Sequence, residues 1–288
     1  MPRWMTLVLA AAICSIASVS AEGVARRADD AAPPQRPRVA LLLAGHYRRH
    51  DVCAKSVREH VLEEASNEQF NFHVVAITYS DRFGKLIHGA GRDANADLDS
   101  PVTEKAIKTV YRKWPVTALI LDAEKHKAST DHFDKRKAAQ RWRHIRLSSM
   151  LKLLALGYRL VLKADGSGEA TAFVLKLRFD LRILAPFAIR IPESGLRIIV
   201  PATMQSGPSR LRGLSTHACS ADGSLRPIWV QDHVAYGSLT SMAKYTMTTS
   251  LYFDRKPGSS AEGVLARTLQ KESVRVHCDK AIKYTIVR

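Results

Sequence analysis

The chain has 288 residues, and 46% of them are hydrophobic, enough to fill the core of a globular protein. Its 44 Lys and Arg residues exceed its 27 Asp and Glu residues, so the net charge is +17. Such an excess favours anionic partners such as nucleotide diphosphates, acidic glycans or lipid headgroups. No basic stripe interleaved with aromatic residues runs through the sequence, which argues against a channel for single-stranded nucleic acid.

Residues 1–21 have the three-part layout of a cleavable signal peptide. Arg3 gives a basic start, an apolar run of about 13 residues follows, and small side chains end at Ala21. A membrane-spanning helix needs about 20 apolar residues, and no later stretch approaches that length. The alternative is an uncleaved signal anchor. Either reading predicts the secretory pathway, in the lumen of the endoplasmic reticulum or Golgi or as a secreted protein, with no nucleic-acid partner.

Beyond residue 21, the remaining 43 basic and 27 acidic residues give a net charge of +16. This part of the chain holds three cysteines, Cys53, Cys219 and Cys278. An odd number in an oxidising compartment predicts one disulfide and one free or buried thiol, without fixing the pair. Their wide spacing matches no zinc-binding pattern.

The chain then alternates apolar runs with amphipathic segments. Residues 22–37 are polar and proline-rich, which predicts a flexible linker. The predicted strands are residues 38–45, 72–79, 117–123, 171–183 and 195–202, with one or two more in 276–288. The predicted helices are residues 50–66 and 138–157, the second ending at Gly157. This order predicts an α/β sandwich with a mostly parallel sheet, in one domain from residue 38 to 288.

Ligands of such sheets bind beyond the carboxyl ends of the strands, so the residues that follow each apolar run are candidates for a site. Polar, aromatic or charged side chains stand at four of these positions. They are Gly45-His46-Tyr47-Arg48 after the first strand, Thr78-Tyr79 in the second, Arg178-Phe179-Asp180 in the fourth, and Asp232-His233 in a later loop.

In this order, the motifs resemble a family of glycosyltransferase-like proteins. The segments that carry the resemblance are VALLLAGHYRR, ITYSD, FVLKLRFDLRI, QDHVAYGSLTSMAKY and the tail VRVHCDKAIKYTIVR after Glu262. The resemblance runs from about residue 38 to the end. It implies the GT-A architecture, a single Rossmann-like three-layer sandwich with a mostly parallel central sheet. It also implies a transferase that moves a sugar from a nucleotide-sugar donor to a glycan or glycoprotein acceptor.

Members of this fold typically hold Mn²⁺ with an Asp-x-Asp motif, and the matching positions here read Arg178-Phe179-Asp180. The first carboxylate is therefore a guanidinium. Asp180 remains a candidate metal ligand, and Arg178 a bidentate ligand of a donor phosphate. The alternative is an internal Arg–Asp pair that only braces the sheet. We expect both side chains on one face of the strand, because positions i and i+2 share a face.

The resemblance gives roles to other residues. Asp232 is the candidate general base, with the N-cap of a following helix as its structural alternative. His277 is a candidate second metal or phosphate ligand, or a structural hydrogen-bonding residue. The residues expected to bind the donor nucleotide, besides Arg178, are Gly45, His46, Arg48, Thr78 and Tyr79.

Two rival functions remain at this stage. One is a secreted carbohydrate- or polyanion-binding protein of the same fold, without catalysis, which the missing first carboxylate favours. The other is a secreted hydrolase. The sequence contains no G-x-S-x-G, H-E-x-x-H or Walker motif, which argues against the hydrolase.

Overall fold

The computed structural model describes residues 36–80, 101–122, 125, 138–165, 171–190, 195–202, 230, 232–247 and 261–287, with backbone only for 138–147 and 261. The predicted signal (1–21) and most of the predicted linker (22–37) lie outside them. The strands are β1 (Arg38–Ala44), β2 (Asn71–Tyr79), β3 (Val116–Leu121), β4 (Thr171–Leu177), β5 (Leu181–Ile183), β6 (Arg197–Pro201), β7 (Val234–Ser238), β8 (Arg275–Asp279) and β9 (Tyr284–Ile286). The helices are α1 (His50–Val57), α2 (Glu104–Val110), α3 (Ala138–Asp165), α4 (Leu239–Thr246) and α5 (Ala261–Lys271).

Seven strands form the central sheet, in the spatial order β3-β2-β1-β4-β7-β6-β8. Among the strands in the described residues, β7 alone runs antiparallel to its neighbours in this sheet, β4 and β6. Strand β1 lies in the interior of the sheet, where its Leu41 pairs with Val74 of β2 and with Leu175 of β4. The predicted Rossmann-like α/β sandwich with a mostly parallel sheet is confirmed.

Alternation along β1 divides the core into two layers. Ala40, Leu42 and Ala44 lie in an apolar cluster with residues of α3, α4 and α5. Leu41 and Leu43 lie in a second cluster with residues of α1 and α2. Every residue of β1 from 39 to 44 is buried, as expected for a central strand covered on both faces.

The predicted strand 171–183 is wrong as one element. Strand β4 ends at Leu177, residues 178–180 turn away, and β5 pairs with β9 in a separate two-stranded sheet. Beyond the end of the ladder, the charged side chains of Arg178 and Asp180 pair with each other. Between them, Phe179 is fully buried against Tyr47.

Gly157 does not end the third helix, which continues to Asp165. A Cβ atom at this position would lie 2.7 Å from Leu42 Cδ1 and 2.8 Å from Ile77 Cγ2. The glycine is therefore explained by a close approach of α3 to β1 and β2 rather than by a helix stop. The predicted helix 50–66 is divided into α1, a π-helical stretch (Arg58–Leu62) and a 3-10 turn (Ala65–Asn67).

The predicted short strands near the end of the chain are present as β8 and β9. Cys53 is a buried free thiol, and Cys278 is disulfide-bonded, in agreement with the predicted cysteine states. Within the described ranges, none of the helices combines the length and the apolar character needed to cross a membrane.

Candidate functional site

The carboxyl ends of β1 and β4 meet at the point where the chain reverses its direction across the sheet. From β1 the chain proceeds to β2 and β3 on one side, and then returns to β4 on the other. Crevices at such switch points are where open α/β sheets bind ligands. The first candidate loop, Gly45–Arg48, and the turn Arg178–Asp180 both lie here, because each directly follows one of these two strands.

Asp180 holds two guanidinium groups at this crevice. Arg178 donates from Nε to Oδ1 at 2.9 Å and from Nη2 to Oδ2 at 2.7 Å, a bidentate ion pair. Arg48 Nη1 donates to the same Oδ2 at 3.3 Å. Burial alone would raise the pKa of Asp180, but Arg178 and Arg48 hold it below its ordinary value. The carboxylate is therefore ionised, and it fixes both arginines.

The first loop has an unusual backbone. Gly45 has a φ of +140°, a conformation that other residues rarely adopt. Arg48 has a φ of +35°, which is uncommon outside glycine and costs of order 1 kcal/mol. The loop thus maintains a strained residue whose guanidinium contacts Asp180. Backbone strain of this kind concentrates at functional sites.

Asp232 lies on the other side of Arg178. Its Oδ2 is 3.7 Å from Arg178 Nη1, and its Oδ1 is 3.3 Å from His233 Nε2. Burial would raise the pKa of Asp232, but His233, Arg178 and Lys176 outweigh this and lower it to about 2. Asp232 precedes strand β7 rather than a helix, so the N-cap alternative is wrong. Helix α4 is capped by Ser238, whose hydroxyl accepts the Ser241 N–H at 3.2 Å.

Lys176 is a third cation, within the sheet itself. Its side chain is buried in β4, and Nζ donates to the His233 carbonyl at 3.5 Å. Burial lowers the pKa of Lys176 to about 8, although Asp232 counteracts it. The ammonium group therefore remains mostly charged at neutral pH, and its charge acts on Asp232.

His50 holds the turn between Arg178 and Asp180 through a hydrogen bond to the backbone of Phe179. Its Nδ1–H donates to the Phe179 carbonyl at 2.9 Å, and its Nε2 accepts the Tyr111 hydroxyl at 2.8 Å. Burial lowers the pKa of His50 to about 4, so the ring is neutral at pH 7. This chain of hydrogen bonds joins α1 and the segment after α2 to the site.

Two of the remaining donor-binding candidates lie in the core rather than at the crevice. Thr78 and Tyr79 are fully buried, and the Tyr79 hydroxyl donates to the Ser149 carbonyl of α3 at 3.3 Å. His46 is partly exposed, and its ring lies 5.5 Å from that of Tyr79. Of the predicted set, Gly45, Arg48 and Arg178 therefore lie together at the crevice. In this conformation Thr78 and Tyr79 belong to the core.

The structure does not bring Asp180 and His277 together. His277 lies in β8 and pairs with Ile199 of β6. Strand β8 is three strands from β4, or about 14 Å at the usual spacing. In the part of the chain that the structure describes, no three His, Cys, Asp or Glu side chains form a metal-binding group. Asp180 accepts hydrogen bonds from two guanidinium groups, whose positive charges oppose a divalent cation at this carboxylate, and its role as an Mn²⁺ ligand stays a prediction.

Sequence reasoning missed several residues that build this site. Lys176 stands within an apolar strand, and a cation in such a run could have signalled a buried partner. His50 and Tyr284 carry no such signal, since only the tertiary structure brings them to the turn and to His233.

The arrangement can bind an anion. Arg48, Lys176 and Arg178 face Asp180 and Asp232, which leaves one positive charge in excess. The side chains of Arg48 and Arg178 are 26% and 23% exposed, so both remain accessible from solvent. Comparison of the sequence with protein-family models and with curated proteins finds no match.

Proposed function

We propose that the protein is a glycosyltransferase that binds the diphosphate of a nucleotide sugar at Arg48 and Arg178 and transfers the sugar to a glycan or glycoprotein acceptor. The observation that carries the proposal is the cationic crevice at the switch point between β1 and β4, with the carboxylate of Asp232 beside it. The mostly parallel central sheet supports it, since the fold that the sequence motifs resemble has such a sheet.

The two guanidinium groups are suited to a diphosphate. Each presents several N–H donors in a planar fork that matches phosphate oxygens in bidentate fashion. Asp180 holds both forks in place before a ligand arrives, which reduces the entropy lost on binding. In this proposal the arginines take the place of a divalent cation, and the net positive charge of the site offsets part of the phosphate charge.

Asp232 is proposed as the general base. A pKa of about 2 makes a weak base, because the best catalytic bases have pKa values near the working pH. The contact with Arg178, at 3.7 Å, is one cause of this low pKa. A phosphate that draws Arg178 towards itself would weaken that contact and raise the basicity of Asp232. Donor binding would thereby activate the base.

A direct experiment is to incubate the purified protein with a panel of nucleotide sugars and candidate acceptors, with EDTA or with Mn²⁺, and to measure nucleoside diphosphate release. We expect release with one donor and the same rate in EDTA. Arg178→Lys should weaken nucleoside diphosphate binding about tenfold in calorimetry, because the bidentate fork is lost. The control Arg112→Lys, in the turn that follows α2, should change nothing. Silence across the panel with no diphosphate binding would sink the proposal.

The second candidate is a carbohydrate- or polyanion-binding protein without catalysis. The two guanidinium groups on Asp180 favour it, since their positive charges oppose a metal ion at this carboxylate. Diphosphate or polyanion binding without turnover would identify this function. For the transferase, the expected compartment is the lumen of the endoplasmic reticulum or Golgi, where donors are supplied. Recovery of the protein only from the medium would favour the binding protein.

A further inference from the structure

His233 and Tyr284 extend the site beyond Asp232. His233 Nε2 lies 3.3 Å from Asp232 Oδ1, and His233 Nδ1 lies 3.0 Å from the Tyr284 hydroxyl oxygen. The three residues therefore form a continuous chain from the crevice to strand β9. Tyr284 is fully buried, and Asp232 and His233 have at most 9% exposure.

The chemistry of the groups fixes where the protons lie. An ionised carboxylate only accepts, so the proton between Asp232 and His233 belongs to Nε2. A neutral imidazole carries a single N–H, so Nδ1 must then accept from the Tyr284 hydroxyl. Burial lowers the pKa of His233 to about 4, against the opposing effect of Asp232, which agrees with a neutral ring at pH 7. The charged groups that act on this ring are Asp232, Arg178, Lys176 and Asp180.

We propose that Tyr284 and His233 form a hydrogen-bonded relay that holds the Asp232 carboxylate in one orientation, with Oδ1 occupied and Oδ2 left for the acceptor hydroxyl. The role of Oδ2 rests on the proposed transferase function, whereas the relay itself does not. His233 and Tyr284 are positioning residues, because neither lies at the crevice. The Lys176 ammonium on the His233 carbonyl and the pairing of β9 with β5 hold the two ends of the relay.

The relay predicts what loss of one hydroxyl does. Tyr284→Phe keeps the buried ring but removes the donor to His233 Nδ1. The proton of His233 stays on Nε2, because the Asp232 carboxylate still accepts it, but Nδ1 loses its hydrogen bond and the imidazole ring is held less firmly. Asp232 would leave its orientation for part of the time, which lowers turnover but leaves the phosphate-binding arginines in place.

The test uses the full chain labelled with ¹⁵N at histidine, with His233 assigned from a His233→Gln variant. Long-range ¹H–¹⁵N spectra at pH 7 should show the His233 proton on Nε2 in both proteins, with the Nδ1 resonance of Tyr284→Phe shifted from its wild-type position because Nδ1 no longer accepts a hydrogen bond. With the active donor, kcat of Tyr284→Phe should fall roughly tenfold, as for loss of one buried hydrogen bond, with KM within about twofold.

The matched control is Tyr158→Phe, which removes a hydroxyl that donates to the Leu239 carbonyl at 2.8 Å, outside the relay. It should leave the His233 Nδ1 resonance and kcat unchanged. A wild-type proton on Nδ1, or a Tyr284→Phe variant with an unaltered Nδ1 resonance, would overturn the relay. If the wild type turns over no nucleotide sugar, the transferase proposal fails, and the His233 spectra still decide whether the relay exists.

Discussion

Arg178 and Asp180 form a bidentate ion pair across a single intervening residue, with Nε–Oδ1 and Nη2–Oδ2 distances of 2.9 and 2.7 Å. The pair lies where strand β4 ends, and the Asp180 side chain is only 2% exposed. Arg178 also approaches Asp232, at 3.7 Å. One guanidinium thus links the carboxylate that organises the crevice to the carboxylate proposed as the base.

Asp180→Ala should lower the free energy of unfolding by about 3 kcal/mol, since it leaves two partly buried guanidinium groups without their carboxylate. Urea denaturation would measure the change. The control Glu104→Gln removes an exposed i,i+4 partner of Lys108 and should cost less than about 0.5 kcal/mol. Equal losses of unfolding free energy in the two variants would show that the buried Asp180 ion pairs stabilise the protein no more than an exposed ion pair does. Because of this cost, loss of activity in Asp180→Ala must be measured on protein verified as folded.

Gly157→Ala should destabilise the protein by about 1–2 kcal/mol, although alanine is the better helix former by about 1 kcal/mol. The added Cβ would meet Leu42 and Ile77, both fully buried, at less than 3 Å. Thermal or urea unfolding measures the effect. The added variant Leu42→Val removes the nearest methyl group, so the double mutant should lose less stability than the sum of the single mutants. Strict additivity would contradict the close approach.

Stability should fall as the pH drops below about 6.5, in part because of His50. Its pKa is about 4 in the folded protein, where burial outweighs the nearby Asp51 and Asp180, and 6.5 when unfolded. Between these values the unfolded chain binds the extra proton. The contribution of His50 is therefore intact above pH 6.5 and is lost towards pH 4, by about 3 kcal/mol. Urea unfolding from pH 4 to 7.5 should give a shallower pH dependence in His50→Gln than in the wild type. Parallel curves would refute the assignment.

Asp232→Asn should reduce kcat by roughly 10²–10⁴-fold if Asp232 is the general base. Nucleoside diphosphate affinity should change little, since Arg48 and Arg178 keep their anchor on Asp180. Steady-state kinetics and calorimetry separate the two effects. Asp279→Asn, at the end of β8, is the matched control and should be active. A large loss of diphosphate affinity with unchanged kcat would instead make Asp232 a determinant of ligand binding.

Strands β1 and β2 were predictable because each is a short apolar run, and both match their predicted bounds to within one residue. Strand β7 was missed, because its residues run directly into helix α4 and the whole segment was expected to be helical. The end of β4 was not predictable. The apolar pattern continues through Phe179 and Leu181, although the backbone pairing of β4 stops at Leu177. The role of Gly157 was likewise not predictable from the local sequence pattern. A glycine pattern alone does not distinguish a helix stop from a close helix–sheet contact, and only the neighbours Leu42 and Ile77 decide it.

The location of the crevice was also predictable, since carboxyl ends of parallel strands converge on one edge. The pairing of Arg178 with Asp180 was expected only as one of two alternatives. The contributions of Lys176, His50 and Tyr284 depend on contacts between distant segments, which no local pattern encodes.

Strand β9 also sets the order in which the site assembles. Its pairing with β5, and the Val287 N–H that donates to the Asp180 carbonyl at 2.9 Å, come from a segment far along the chain from the turn they secure. At ordinary rates of translation, Asp180 is synthesised roughly 5–20 s before Val287. Throughout that interval the turn lacks this partner and His233 lacks Tyr284. The crevice therefore reaches its final form only after residue 287 has been added, and a nascent chain that stops short of β9 should carry the sheet without the finished site.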